Sequence, residues 1–388
     1  MRYLDEKYRL MAPGPVQVAD SVQKVMAEPM IHHRTKAFIE VFERVLKNLP
    51  QYFQTESPVM ILPSTGTGGM EAALVNCFSA GDEIIAIVSG KFGARWADVA
   101  EVYGLKAHRL NVEWGQAVDL EDVKKALKEF PNAKGLMTQA SETSTGTWQP
   151  IKAISKLTRN TEKLLIVDGI TAVGCTHLPM DRWHLDVVVA GSQKAFGLPT
   201  GLSMVAMSEK AWRANETATL PRYYFDLKKE RAANEKLQTH FSAAVSLIRG
   251  LDVVVNEALD RGMDHMVMRT QHLSDSLRKA AKSYGMCEFS MAPSPSVTAL
   301  AAPVEVDAGE LKTHLEKKYN LTVMGGQDHL KGKIIRIGHM GDISNHDQLA
   351  TIEALGYALK DLGAQVSEDD INAVVDEAEK FLKMCSNV

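Results

Sequence analysis

Cysteine is scarce in this 388-residue chain: there are four, Cys77, Cys175, Cys287 and Cys385. They lie far apart, with no Cys-x-x-Cys or Cys/His pair at zinc spacing, which speaks against a zinc module or a disulfide scaffold and suits free thiols in a reducing compartment. Long apolar runs are missing too, since nowhere do about 18 apolar residues follow one another without charge, the length a membrane-spanning helix needs. The opening MRYLDEKYRLMAPGPV has no apolar stretch of signal-peptide length, and Ser386-Asn387-Val388 is no recognised address, so the expected location is the cytoplasm. Charge of one sign is lacking as well. Lys plus Arg number 44 against 48 Asp plus Glu, a net charge of −4 without a basic run, which gives a nucleic-acid partner no electrostatic footing. Repeats and low-complexity tracts are absent, which removes solenoids and disordered arrays.

What is present is an ordinary globular composition, 45% apolar and 24% charged, on a chain long enough for two domains with real cores. Short, almost wholly apolar segments at 59–62, 83–88, 134–138, 163–167, 186–190 and 202–207 alternate with amphipathic helical stretches at 69–78, 94–103 and 120–129, with Asp119 placed as an N-cap. Apolar strands alternating with helices predict an open, mostly parallel sheet covered on both faces. Beyond about residue 228 the texture changes to long helical patterns, then to strand-like segments at 296–303 and 334–338, then to helices again. The expected organisation is a large domain over residues 1–261 and a smaller α+β domain over 262–388, coupled through a helix around 247–263.

Three constellations carry chemistry. Pro63-Ser64-Thr65-Gly66-Thr67-Gly68-Gly69 follows an apolar strand and precedes a helix, where backbone N–H groups and hydroxyls can approach an anion. It lacks the Lys-Ser/Thr ending of a P-loop and the third glycine of a dinucleotide fingerprint. A coenzyme phosphate fits it, and so does a tight turn with no ligand. Leu164-Leu165-Ile166-Val167-Asp168 brings a carboxylate to a strand end, and Val187-Val188-Val189-Ala190-Gly191-Ser192-Gln193-Lys194 brings a lysine to another, at the edge where open sheets bind ligands. Alone, Asp168 reads equally as a cap and Lys194 as a surface lysine. Together they suit pyridoxal phosphate, whose chemistry needs a lysine for covalent attachment and an acid at the pyridine nitrogen.

The order STGTGG, VDGI, GSQK and Arg336-Ile337-Gly338-His339-Met340-Gly341, beginning from Ala12-Pro13-Gly14-Pro15, resembles the class V pyridoxal-phosphate aminotransferases, in particular their alanine/serine–glyoxylate branch. The resemblance covers nearly the whole chain. It implies fold type I of the pyridoxal-phosphate-dependent transferases. It also implies a homodimer with sites at the interface, and a transfer of the amino group from a small L-amino acid such as serine or alanine to a 2-oxo acid such as glyoxylate or pyruvate. By the same similarity Lys194 would hold the coenzyme and shuttle a proton, and Asp168 would bond the pyridine N–H. Thr65, Gly66, Thr67 and Gln193 would contact the phosphate, Thr143 the phenolic oxygen, and Phe92 the ring face. Arg336 would clamp the substrate carboxylate, because a guanidinium offers two parallel N–H bonds, with Gly14 beside the substrate. Relatives carry a Tyr-Thr-Pro stretch that reaches the partner subunit's phosphate. Here it is Phe241-Ser242-Ala243, in which Ser242 can still donate a hydrogen bond and Phe241 cannot.

Rival readings are kept open. A cysteine desulfurase would need a reactive cysteine before the C-terminal arginine, and residues 320–335 contain none. An aminophosphonate or phosphoserine transaminase would need more basic residues than Arg34, Lys36, Arg95 and Arg336, and a lyase of the same superfamily is a further alternative. A coenzyme-free binding protein would have no use for Lys194, Asp168 and Arg336 together.

Overall fold

The computed structural model describes residues 1–385. Its centre is a seven-stranded sheet of β1 (Val59–Pro63), β2 (Glu83–Val88), β3 (Lys106–Asn111), β4 (Ala133–Gln139), β5 (Leu164–Asp168), β6 (Val187–Gly191) and β7 (Leu202–Met207). The spatial order is β1-β7-β6-β5-β4-β2-β3. All pairs are parallel except those of β7, which runs antiparallel to β1 and β6.

Period-two alternation splits each inner strand between two cores. Ile85, Leu165, Val167, Val188 and Ala190 point into one apolar cluster, whereas Ile84, Ala86, Ile166, Val187 and Val189 point into the other. Both faces being covered, these strands carry no polar alternation, which is why they stand out in the sequence. The edge strand β3, Lys-Ala-His-Arg-Leu-Asn, does not, and sequence reasoning missed it. It pairs only with β2 and leaves Lys106, Arg109 and Asn111 toward solvent or half-buried, as a blunted edge does.

A second sheet, β8 (Cys287–Glu288), β9 (Val297–Ala301), β10 (Met324–Gly325) and β11 (Ile334–Gly338), is antiparallel in the order β8-β9-β11-β10. Ile335 and Ile337 share a separate core with Leu311, Leu315, Ile352 and Leu355. Two long helices, Val245–Arg261 and Met263–Ser283, lead toward it and meet at Gly262, whose φ of 90° lies in the left-handed region open to glycine.

The N-terminal segment docks against the C-terminal part of the chain. Arg9–Leu10 pairs in parallel with Leu321–Thr322, and the carbonyl of Met11 accepts the N–H of Gly338 at 2.8 Å. A side chain at position 338 would collide with the backbone of Ala12, so glycine there is what permits the crossing. Among the described residues no helix is long and apolar enough to cross a membrane.

Candidate active site

The parallel strands end on one edge, and their ends deliver the site. β1 runs into Ser64 and Thr65, and Thr65 is the N-cap of helix α1 (Gly66–Val75). The first helical bond runs from Gly69 N–H to the Thr65 carbonyl, so the N–H groups of Gly66, Thr67 and Gly68 lie ahead of the helical ladder and are free for an anion. Thr65 makes no side-chain cap bond, and a Cβ at Gly66 would run into Ile170.

β5 ends on Asp168, 6% exposed, whose Oδ1 accepts the Ile170 N–H at 2.8 Å. Its Oδ2 makes no hydrogen bond among the described residues. Burial, helped by the Glu142 charge, pushes the Asp168 carboxyl up to about 7 against the pull of the Ile170 N–H, Arg95 and Lys194.

β6 is followed by Gln193, whose buried Oε1 has no partner among the described residues, and by Lys194, whose Nζ donates to the Pro13 carbonyl at 2.5 Å. Burial, with repulsion from Arg336 and Arg95, pulls the Lys194 ammonium down to about 8, and Asp168 opposes that shift. Lys194 and Asp168 feel each other's charge, yet no ion pair joins them among the described residues. Gly14 (φ 107°) lies against Lys194, and a Cβ there would overlap its side chain.

The loop after β4 places Thr143, buried, with its hydroxyl 3.1 Å from that of Thr171. Its carbonyl accepts Nη1 of Arg336 at 2.9 Å, and Nε of Arg336 donates to Gly325 at 3.0 Å. These two bonds aim a guanidinium only 6% exposed and leave Nη2 without a partner among the described residues. Burial pulls Arg336 down to about 10 while Glu142 holds it up, so it stays cationic at neutral pH.

Phe92 is the second residue of helix α2 (Lys91–Val102). That helix has no cap of its own. The buried Glu142 carboxylate accepts N–H bonds from Phe92 (3.2 Å) and Gly93 (2.9 Å), and it also holds Ser144 through its N–H and hydroxyl. Burial pushes Glu142 up, and these donors oppose the shift.

The structure thus brings Lys194, Asp168, Thr65, Gly66, Thr67, Phe92, Thr143, Gln193, Arg336 and Gly14 to one region. Ser242 is not among them: it is exposed and makes no hydrogen bond among the described residues. Glu142 and the Pro13 carbonyl were missed. Glu142 sits next to Thr143 in Ser141-Glu142-Thr143-Ser144, but nothing local reveals that it caps a helix some fifty positions upstream. Among the described residues no group of three or more His, Cys, Asp and Glu could hold a metal ion.

A cradle of backbone N–H groups, a buried acid with one free oxygen, an unpartnered amide and a lysine held near neutrality are the donor set a phosphate-bearing, nitrogen-containing ring needs. Arg336 adds a cation for a carboxylate.

Comparison with known proteins follows the same line. A family model described as Aminotransferase class-V matches residues 12–338. The "Soluble hydrogenase, small subunit" of Synechococcus sp. (strain PCC 6716) is 37% identical over 366 residues, 93% of this chain and 95% of its own length. The serine–glyoxylate aminotransferase of Methylorubrum extorquens is 31% identical, covering 92% of each chain. Among solved structures, ureidoglycine–glyoxylate aminotransferase from Bacillus subtilis superposes with a TM-score of 0.92 at 26% identity, over 98% of this chain and 100% of that one.

Proposed function

The chain belongs to the class V aminotransferases, enzymes that depend on pyridoxal phosphate, and we propose that it passes the amino group of a small L-amino acid, serine or alanine, to glyoxylate or pyruvate in two alternating half-reactions. One observation carries this reading: Asp168 at the end of β5, Lys194 just past the end of β6 and Arg336 in the middle of β11 converge on one buried region beside an N–H cradle. The names of the serine–glyoxylate relative and the ureidoglycine–glyoxylate structure support glyoxylate as acceptor. A single guanidinium with a free nitrogen suits a donor with one carboxylate.

Bound here, pyridoxal phosphate supplies a carbonyl that links to an amine and a ring that takes up the electron pair left when the substrate Cα loses its proton. The remaining work falls to this chain's residues. Thr65, Gly66, Thr67 and Gln193 hold the phosphate, Thr143 the phenolic oxygen, and Phe92 limits one face of the ring. Asp168, whose ionised form Arg95 and Lys194 favour against burial, would bond the pyridine N–H. Lys194 would take the Cα proton on Nζ and give it to the former carbonyl carbon of the coenzyme, across the linking nitrogen, a task its lowered pKa suits. Arg336 orients each substrate in turn through its carboxylate. A homodimer is part of the proposal, since Ser242, exposed and without a hydrogen bond among the described residues, would serve a second copy.

The test is the visible spectrum of the purified holoprotein with L-serine, L-alanine, L-aspartate and aminoethylphosphonate in separate cuvettes. Bleaching by serine or alanine, and recovery with glyoxylate, is expected. Bleaching by aspartate or the phosphonate alone would overturn the donor assignment.

Arg336→Lys is expected to raise KM for amino acids about 10- to 100-fold, because one of the aimed N–H bonds to the carboxylate is lost. Half-reactions with amines lacking a carboxylate should change little. Equal losses for both classes would mean that Arg336 does not clamp the carboxylate.

A further inference from the structure

We propose that Arg95 is a positioning residue for the coenzyme: it seats Phe92 and Thr67. This rests on the site reading above and adds a residue to it.

Arg95 is one turn along α2 from Phe92. Its guanidinium carbon lies 4.8 Å from the centre of the Phe92 ring, a cation–π distance. Nη1 donates to the Thr67 hydroxyl at 3.1 Å, crossing from α2 to the first turn of α1. Among the described residues Arg95 makes no ion pair. Arg109 shows the usual alternative, spreading its guanidinium over Asp98 and Glu101 on the surface. A half-buried guanidinium that engages a ring and a hydroxyl rather than a carboxylate is placed by geometry, not by charge neutralisation.

Its charge is felt in the site nonetheless. Arg95 favours the ionised form of Asp168 and disfavours the ammonium form of Lys194, the two directions the chemistry requires. One side chain therefore contacts a phosphate-cradle residue and a ring-facing residue, while its charge is felt by the acid and the lysine. A lysine cannot lie flat on Phe92 and bond Thr67 together, since it lacks the planar fork.

The test compares wild-type, Arg95→Met and Arg95→Lys holoproteins by coenzyme dissociation constant, by pH titration of the visible band, and by thermal melting of the coenzyme-free forms as a check of folding. Arg95→Met should bind pyridoxal phosphate at least about 10-fold more weakly, the loss of one charge-assisted contact, and its spectral midpoint should move. Arg95→Lys should keep the midpoint near wild type but not the affinity. Arg95→Met matching wild type within about twofold, with an unmoved midpoint, would overturn the assignment. A wild-type protein that takes up no pyridoxal phosphate would overturn the site reading itself, a separate and earlier failure.

Discussion

A Lys194→Ala variant is expected to fold, to lose covalent attachment of pyridoxal phosphate, and to turn over at least about 10⁴-fold more slowly than wild type, the upper end of what one positioned proton-transferring group supplies. Folding should survive because the Lys194 ammonium is buried with one hydrogen bond, to the Pro13 carbonyl, and a buried cation so sparsely paired does little for stability. Activity should not survive, because Lys194, next to Gly14 and within the charge influence of both the acid and the substrate-facing arginine, is the amine that would carry both attachment and proton transfer. Borohydride treatment of wild type followed by peptide mapping decides the matter. A label on the peptide carrying Lys194 is expected, and a label on another lysine would refute the assignment.

Asp168→Asn is expected to lower kcat about 10³-fold, since an amide cannot hold a proton on the pyridine nitrogen as a carboxylate does. The same substitution should stabilise the coenzyme-free protein above neutral pH. Burial raises the Asp168 carboxyl from 3.8 to about 7, so between those values the folded state binds a proton that the unfolded state has released. Stability from this group is present at acid pH and falls as the pH rises through that window. Coenzyme-free Asp168→Asn should therefore melt several degrees above wild type at pH 8, and the gap should close as the pH approaches 4. A gap that widened toward acid would show that Asp168 is not carrying this cost. Sites that hold a charge for chemistry at the expense of stability are a recurrent arrangement.

The inner strands were legible because each is apolar on both faces, and Asp168 and Lys194 were legible because each breaks such a run at its end. β3 was not, since an edge strand with one partner carries Lys, His, Arg and Asn without cost. Helix α1 was expected from 69 but begins at Gly66, and α2 was expected from 94 but begins at Lys91. In the first case glycines read as turn. In the second the helix start is held by Glu142, whose partnership with Phe92 and Gly93 is set by the sheet order and not by neighbouring residues. Helix 120–129, with Asp119 accepting the Glu121 N–H, was fully local and was placed correctly. Arg95 could be seen only as one basic residue among several, because its contact with Thr67 joins two helices that the sequence separates by a strand.

The strap formed by residues 9–14 has a consequence for biosynthesis. Its residues are synthesised about three hundred positions before their partners, Leu321, Thr322 and Gly338. A loop of more than three hundred residues must close before the strap can dock, which places it among the slow, long-range steps of folding. Pro13, which holds Lys194, is carried by that strap. Full capture of the coenzyme thus awaits residue 338, and a nascent chain stalled before it would display the lysine without the neighbour that aims it.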